Sequence, residues 1–231
     1  MDSSVYEREN AFTATWLDRL PLASRVELRR ACKLISLTDR KTIYTQGGEQ
    51  KWLWGIDRGQ VRVLVRMNEM EPTLGHVHQV GAWFGESELL QNLPGLVEMQ
   101  AAGEVTVARI AFSRFQELGR THPALWEGLA LLTSMNQTLA MAAANDLALR
   151  TGRMRLAATL LRLSGHRADF QQTSTSPTIP ANQQEIANLA NVSLSKASED
   201  LTAFAADGLI GLEYGRIAVL DEEGLKDLIQ P

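Results

Sequence analysis

Apolar positions change their period along the chain, and each change marks a different kind of element. Between residues 12 and 37, Leu17, Leu20, Leu22, Val26, Leu28, Leu34 and Ile35 stand among charged positions at helical spacing, which predicts one or two helices. Residues 41–110 differ. Short runs rich in Val, Ile, Leu and Trp are punctuated by Gly47, Gly48, Gly59, Gly75, Gly81, Gly85, Gly95 and Gly103. Gln60-Val-Arg-Val-Leu-Val-Arg66 and Val105–Ile110 alternate polar and apolar, the period of a half-buried strand. Many short strands at regular spacing predict a sandwich, barrel or jelly roll.

From His122-Pro123 to Arg150 the period is helical again, with Leu125, Leu129, Leu132, Met135 or Asn136, Leu139, Ala142 or Ala143, and Leu149 three or four residues apart. A helix of about 28 residues would run ~42 Å. That is longer than a small domain needs, and its stripe is similar to a coiled-coil seam. The expected dimerisation face is Leu132, Met135, Leu139 and Ala142; an ordinary core helix is the alternative. Asn136 near this seam either sets register or faces water. A second helix, 153–164, carries Met154, Ala157, Leu160, Leu161 and Leu163. The polar stretch 165–180, with two prolines, reads as a loop with a short strand at Thr178-Ile179.

After Pro180 the chain reads ANQQEIANLANVSLSKASEDLTAFAADGLIGLEYGRIAVL. Asn182 followed three residues later by Glu185 is a capping-box start. Ile186, Ala187, Leu189 and Ala190 form a short apolar face, Asn191-Val192-Ser193 interrupts it, and Ser193 caps a second helix striped by Ala197, Leu201, Phe204 and Ala205. Two short helices around a tight turn predict a helix-turn-helix. Leu209-Ile210 and Ile217-Ala-Val219 then flank Glu213–Arg216 as a hairpin, so the whole reads as a winged helix.

Charge tempers that reading. The whole chain carries −4, and between 178 and 220 the cations Lys196 and Arg216 face five carboxylates. Phosphate neutralisation supplies much of DNA affinity, so one such module binds weakly. Helix N-termini, Ser and Gln side chains, the nearby Arg150, Arg153 and Arg155, and dimerisation are the compensations open to it. A winged helix used for protein contacts is the alternative. Cys32 is the only cysteine, which excludes an intrachain disulfide and a four-cysteine metal site. The N-terminus lacks an apolar run, and Asn136, Gln137, Asn145 and Asp146 interrupt the longest apolar stretch. No signal peptide or membrane span is expected, and the cytoplasm is the expected location.

Strands, a long helix and a winged helix, in that order, resemble the Crp/Fnr superfamily of bacterial transcription regulators. The resemblance rests on Gly59-Gln-Val-Arg-Val63, Gly81-Ala-Trp-Phe-Gly-Glu86, His122-Pro123, Thr151-Gly-Arg153, Gln184-Glu-Ile-Ala187 through Val192-Ser193, Gly208-Leu-Ile210 and Gly215-Arg-Ile217. It implies an α+β fold: a sensor domain over 1–120 with N-terminal helices and a cyclic-nucleotide-binding-like jelly roll, a dimerisation helix over 121–150, and a winged helix over 151–231. It also implies a homodimer that reads near-palindromic double-stranded DNA and works with RNA polymerase. The residues so assigned to DNA are Gln183, Ser193, Leu194, Ser195, Lys196, Ser198, Glu199 and, in the wing, Arg216.

Two departures from the family pattern shape the expected function. In relatives that bind cyclic AMP, an Arg followed by Ser or Thr holds the cyclic phosphate; here those positions are Leu96 and Val97. The effector pocket implied by resemblance is Gly85, Glu86, Ser87, Leu96, Val97 and Thr138, with Glu86 placed for a ribose hydroxyl and Thr138 for a nucleobase. No Lys or Arg lies between Glu86 and Val107, and burying a phosphate without a cation costs several kcal/mol. Cyclic AMP is therefore not expected; a neutral or apolar effector, a differently bound nucleotide, or an empty relic remain open. In the recognition helix, the family's Arg-Glu-x-x-x-Arg is Leu194-Ser195-Lys196-Ala197-Ser198-Glu199 here. The commonest guanine contact is gone. Lys196 is left for phosphate or guanine, Leu194 for a thymine methyl, and Glu199 for a cytosine amino group or for solvent.

Other chemistries fit less well. His76-Val-His78 before Glu86 suggests a cupin metal site, but the Glu stands eight positions after the second His, where cupins need four or five. His76, His78, His122, His166, Cys32 and the methionines mark no pair of haem ligands. Trp52, Trp54 and Trp83 read as core or pocket-wall aromatics, or as platforms for an effector. Neither metal, haem nor an enzymatic constellation is expected. The competing readings are a cyclic-nucleotide-responsive regulator with an atypical pocket, and a cupin-like metal or enzyme domain fused to a protein-interaction winged helix.

Overall fold

The computed structural model describes residues 10–13, 15–66, 71–166 and 176–230. The N-terminal residues 1–9 and loop residues 167–175, discussed above from sequence, lie outside the described residues. Two compact units emerge: residues up to 61 with 78–136, and residues 62–77 with the chain from 137 onward.

The first unit opens with a 3-10 turn (Asn10–Thr13) and two helices, α1 (Thr15–Asp18) and α2 (Leu22–Ala31). The strands are β1 (Lys33–Leu37), β2 (Thr42–Tyr44), β3 (Trp52–Val65), β4 (Thr73–His78), β5 (Trp83–Phe84) and β6 (Glu98–Ala111), with α3 (Glu86–Gln91) between the last two. They form one sheet ordered β1-β6-β3-β4, with β2 on β6 and β5 on β3. Residues 33–37 were expected to be helical; they form a strand, pairing antiparallel from Lys33↔Arg109 to Leu37↔Val105. The tertiary pairing overrides a five-residue helical pattern that contains β-branched Ile35.

Helices α4 (Phe112–Thr121) and α5 (Ala124–Leu147) follow. The core beneath them is aromatic. Trp83 Nε1 donates to the Ala11 carbonyl (2.7 Å), Trp16 meets the Trp83 ring edge-on, and Trp126 meets Phe115 in the same way. The long helix spans 24 residues rather than about 28. It starts after Pro123, which cannot donate a helical hydrogen bond, and ends where Ala148 and Leu149 bond back three residues, to Asn145 and Asp146.

The second unit holds the remainder of α5, then α6 (Gly152–Ser164), β7 (Thr178–Ile179), α7 (Gln183–Leu189), α8 (Leu194–Ala206), β8 (Ile210–Glu213), β9 (Arg216–Val219) and α9 (Glu222–Asp227). Strands β7, β9 and β8 form an antiparallel sheet in that order. Leu156, Leu160, Leu161, Ile186, Leu201, Phe204, Ile217 and Leu225 make its core, and Leu64, Leu74 and Val77 of the β3–β4 hairpin join it. A buried ion pair lies inside. Arg162, 2% exposed, donates from Nε to Asp146 Oδ2 (2.9 Å) and meets His76 Nδ1 through Nη1 (3.4 Å).

Two predictions follow from these buried groups. Replacing Asp146 with Ala strands a buried guanidinium, and the expected loss is about 3–5 kcal/mol, read by urea unfolding. His78 is buried and stacked on Phe84, and burial pulls its pKa down to about 4. The unfolded chain therefore takes up the His78 proton first. Its contribution is fully present above about pH 6.5 and lost as pH falls toward 4, on the order of 3 kcal/mol. His78→Phe should flatten the fall in stability between pH 7 and 5 relative to the parent; an unchanged slope would assign the dependence to other groups.

Candidate nucleic-acid interface and effector pocket

The recognition element is built from caps and one clamp. Asn182 accepts from Glu185 N (2.9 Å) while Glu185 Oε2 accepts from Asn182 N (2.9 Å), a complete capping box at the start of α7. After Leu189 the chain turns through Ala190 and Asn191, the latter at φ 49°. Ser193 then caps α8, its hydroxyl accepting from Lys196 N (3.2 Å). Arg155 of α6 holds this turn: Nε donates to the Ala190 carbonyl (2.8 Å), one terminal nitrogen to Asn191 O (3.2 Å) and the other to Leu149 O (3.2 Å). Gly152 is required beside it, since a Cβ there would lie 2.8 Å from Val192. Thr151 caps α6 by accepting from Met154 N.

The sequence-chosen DNA residues fall as follows. Ser193, Leu194, Ser195, Lys196 and Glu199 are exposed on the first two turns of α8; Ser198 is half-buried there. Gln183 is half-buried at the first position of α7, and Arg216 is exposed at the start of β9, beside fully exposed Tyr214 at the wing tip. The charges are entangled. Lys196 Nζ bonds Glu199 (3.0 Å) and Asp200 (3.1 Å), which hold its pKa up. Arg153, which charge counting assigned to phosphate, instead pairs with Asp200 and Asp207 and lies over the Phe204 ring. Arg155 is likewise committed to backbone carbonyls. No local pattern in the sequence marks either role, because the two turn carbonyls that Arg155 holds are 35 and 36 residues away and the Arg153 partners lie across the helix pair.

The pocket region is held by Gly85 at φ +95°, a left-handed conformation that favours glycine, followed by the single-turn-and-a-half helix α3. Glu86 is 2% exposed. Its Oε1 accepts from Asn136 Nδ2 (2.8 Å) and Ser87 Oγ (3.3 Å), and Asn136 also donates to the Trp83 carbonyl (3.1 Å). Burial raises the Glu86 pKa, the Asn136 bond opposes this, and Glu88 adds to the rise. Tyr44 is pushed up as well, by burial first and then by Glu88 and Glu86. Glu88 accepts from Leu96 N (3.2 Å). Leu96 is half exposed, Val97 half-buried and Thr138 exposed. Asn136, two positions before Thr138, is the α5 residue that meets Glu86. Positions two apart on a helix do not share a face. Sequence reasoning placed Asn136 at a seam or in water, since nothing local to it announces a buried carboxylate 50 positions earlier.

The expected seam residues also separate. Leu132 (3% exposed) is part of the aromatic core of the first unit, and Ala142 (1%) is also buried. Met135 and Leu139 are half-buried. The exposed stripe of α5 instead runs Ala130, Ser134, Gln137, Met141 and Ala144, alternating four and three residues. His76 of the cupin-like pair meets Arg162, and among the described residues no three His, Cys, Asp or Glu side chains gather into a metal site. Among these residues, too, no helix is long and apolar enough to cross a membrane.

Comparisons with known proteins agree with this architecture. A family model described as a cyclic nucleotide-binding domain matches residues 34–122, and one described as a Crp-like helix-turn-helix domain matches 154–228. The chain is 24% identical over 195 residues to the transcriptional regulatory protein btr of Bordetella pertussis, covering 82% of this chain and 78% of that one. Among solved structures it is similar to FixK2 from Bradyrhizobium japonicum (TM-score 0.69, 17% identity, 87% of this chain and 98% of that one). It is also similar to the c-di-GMP responsive global regulator CLP of Xanthomonas campestris (TM-score 0.66, 18% identity, 86% and 99%). With a cyclic-nucleotide-binding-type sheet domain, a long helix and a Crp-like winged helix in this order, the chain belongs to the Crp/Fnr superfamily of transcription regulators.

Proposed function

We propose that this transcription regulator acts as a homodimer that reads a near-palindromic site with α8 in the major groove, works with RNA polymerase, and is not governed by cyclic AMP. The observation that carries the reading is the α8 N-terminus. Ser193, Leu194, Ser195, Lys196 and Glu199 stand exposed on a helix whose entry is fixed by a capping Ser and the three-bond Arg155 clamp. A reading helix must be held in place and exposed, and the caps, the clamp and the exposure of these residues support that reading. Lys196 must exchange its bonds to Glu199 and Asp200 for a phosphate or a base. That trade lowers affinity per subunit and makes two subunits necessary.

The α5 stripe centred on Met141 supports self-association. Met141 is 57% exposed in the middle of a run spaced for two-stranded packing. Against cyclic AMP stand three features: Leu96 and Val97 where a cation and hydroxyl are needed, Glu86 already bonded by Asn136, and Glu86 and Glu88 buried next to the place of a phosphate. The notion of a cyclic-nucleotide-responsive regulator with an altered pocket is the second reading, kept by the matched domain and by Glu86 itself.

Selection of bound sequences from a random duplex pool, with purified protein and no ligand, should recover a two-fold symmetric motif with half-sites about one helical turn apart; recovery of no motif in the absence and presence of cyclic nucleotides would sink the DNA-reading proposal. On that site, Lys196→Ala should weaken binding and lower the slope of log affinity against log salt by about one. Met141→Glu should yield monomers in sedimentation with an unaltered circular dichroism spectrum, whereas Ala142→Glu should unfold the chain. Cyclic AMP should leave the melting temperature unchanged, since only a ligand of the native state raises it.

A further inference from the structure

The described residues contain nine buried side-chain nitrogens or oxygens without a hydrogen-bond partner, and four of them lie in one neighbourhood of the first unit: Tyr44 Oη, Gln50 Nε2, Trp54 Nε1 and Arg109 Nε. Contacts link them. The Arg109 guanidinium carbon lies 4.2 Å from the centre of the Trp52 ring and 5.7 Å from that of Trp54. A Cβ placed on Gly85 would stand 3.5 Å from Trp54 Cδ1, the atom bonded to Nε1, and 3.9 Å from Gln50 Nε2. The Tyr44 hydroxyl is next to the Gln50 side chain but makes no bond of normal geometry. The Gln50 oxygen is already used, accepting from Lys51 N and Trp52 N, so its amide group is what remains.

The chemistry of this cluster is one-sided. Three of the four groups are N–H donors, one of them on a cation. A buried donor left unpaired is destabilising, so four such groups in one place form a concentration that needs an acceptor. Trp54 is 6% exposed, while Tyr44, Gln50, Trp52 and Arg109 are half-buried around it. Phe84, paired with Trp54 across β3 and β5, extends the apolar wall toward Tyr44 and His78. The two nearby carboxylates are engaged, Glu86 by Asn136 and Glu88 by the Leu96 amide. Among the described residues Arg109 pairs with no carboxylate, and its contacts are the Trp52 and Trp54 rings.

We propose that this cluster is the effector site, and that its ligand is a small organic carboxylate with an apolar body. The carboxylate oxygens accept from Arg109 and Trp54 Nε1, a further acceptor takes the Gln50 amide, and the body lies against Trp52 and Phe84. This deepens the reading of the first unit as a sensor and rests on it. It places the ligand beside the stretch 86–97, in which no cation occurs, instead of within it.

The test is titration of the full-length protein, labelled at its Trp indole nitrogens, with acetate, propionate and benzoate. Benzamide serves as the uncharged control, and inorganic phosphate and cyclic AMP as competing anion classes. The Trp54 indole N–H resonance, assigned by its loss in Trp54→Phe, should shift saturably with at least one carboxylate below about 10 mM. Arg109→Met should weaken that binding at least about tenfold, and Arg109→Lys, which keeps a cation over Trp52, by less. Thermal melting of each variant confirms that it is folded. Failure of every carboxylate to saturate, equal binding of benzamide, or undiminished binding in folded Arg109→Met would overturn the proposal and leave solvent as the partner of these donors. A response to phosphate or cyclic AMP alone would also overturn it. The selected DNA motif is read on ligand-free protein, so loss of this site would leave the DNA-reading proposal standing.

Discussion

A guanidinium inside an apolar core dictates how the second unit is assembled. Arg162 is surrounded by the leucines of α6 and is almost fully buried, so its charge must be met by a carboxylate at bonding distance. Asp146, one residue before the end of α5, supplies it at 2.9 Å, and His76 on β4 meets the other side. The end of the long helix, the first helix of the winged domain and a strand of the β3–β4 hairpin are thereby tied at one point. A second tie runs from Arg62 on β3 to Glu185, the residue that closes the α7 capping box. Hydrophobic packing alone would allow these elements to slide; two ion pairs of defined geometry do not.

The reading head inherits that order. Arg155 lies on the same helix as Arg162, seven residues earlier, so its two bonds to the turn before α8 and its third to Leu149 are anchored to the buried pair through a single element. Much of the basic charge near the head is consumed by this construction. Arg153 and Arg155 build the module, and Lys196 is shared with Glu199 and Asp200. A head made this way trades raw phosphate affinity for a fixed presentation. That is the arrangement expected of a regulator whose affinity comes from pairing two heads.

In the first unit the decisive event is a substitution of partners. The family position that would meet a ribose hydroxyl carries Glu86, and here the protein's own long helix occupies it through Asn136. This both satisfies a buried carboxylate and couples α3 to α5 without any ligand. The unpaired donors lie elsewhere, around Trp54 and Arg109, outside the cation-free stretch 86–97.

Much of this was legible in the one-dimensional pattern. The capping box at Asn182 and Glu185, the cap at Ser193, the wing around Tyr214-Gly215 and the glycine-punctuated strands are local signals, since each depends on residues a few positions apart. The charge deficit of the stretch 178–220 was equally visible, as were Leu96 and Val97 where the resemblance sets an Arg and a hydroxyl residue. What tertiary structure alone decided are the long-range partnerships. Lys33–Leu37 became a strand because β6 offered it an edge; on α5, Leu132 and Ala142 went inward while Met141 stayed out. Asn136 found Glu86, and Arg155 found the turn at Ala190. Periodicity records which residues share a face, but a hydrogen bond spanning 35 or 50 positions leaves no trace in it.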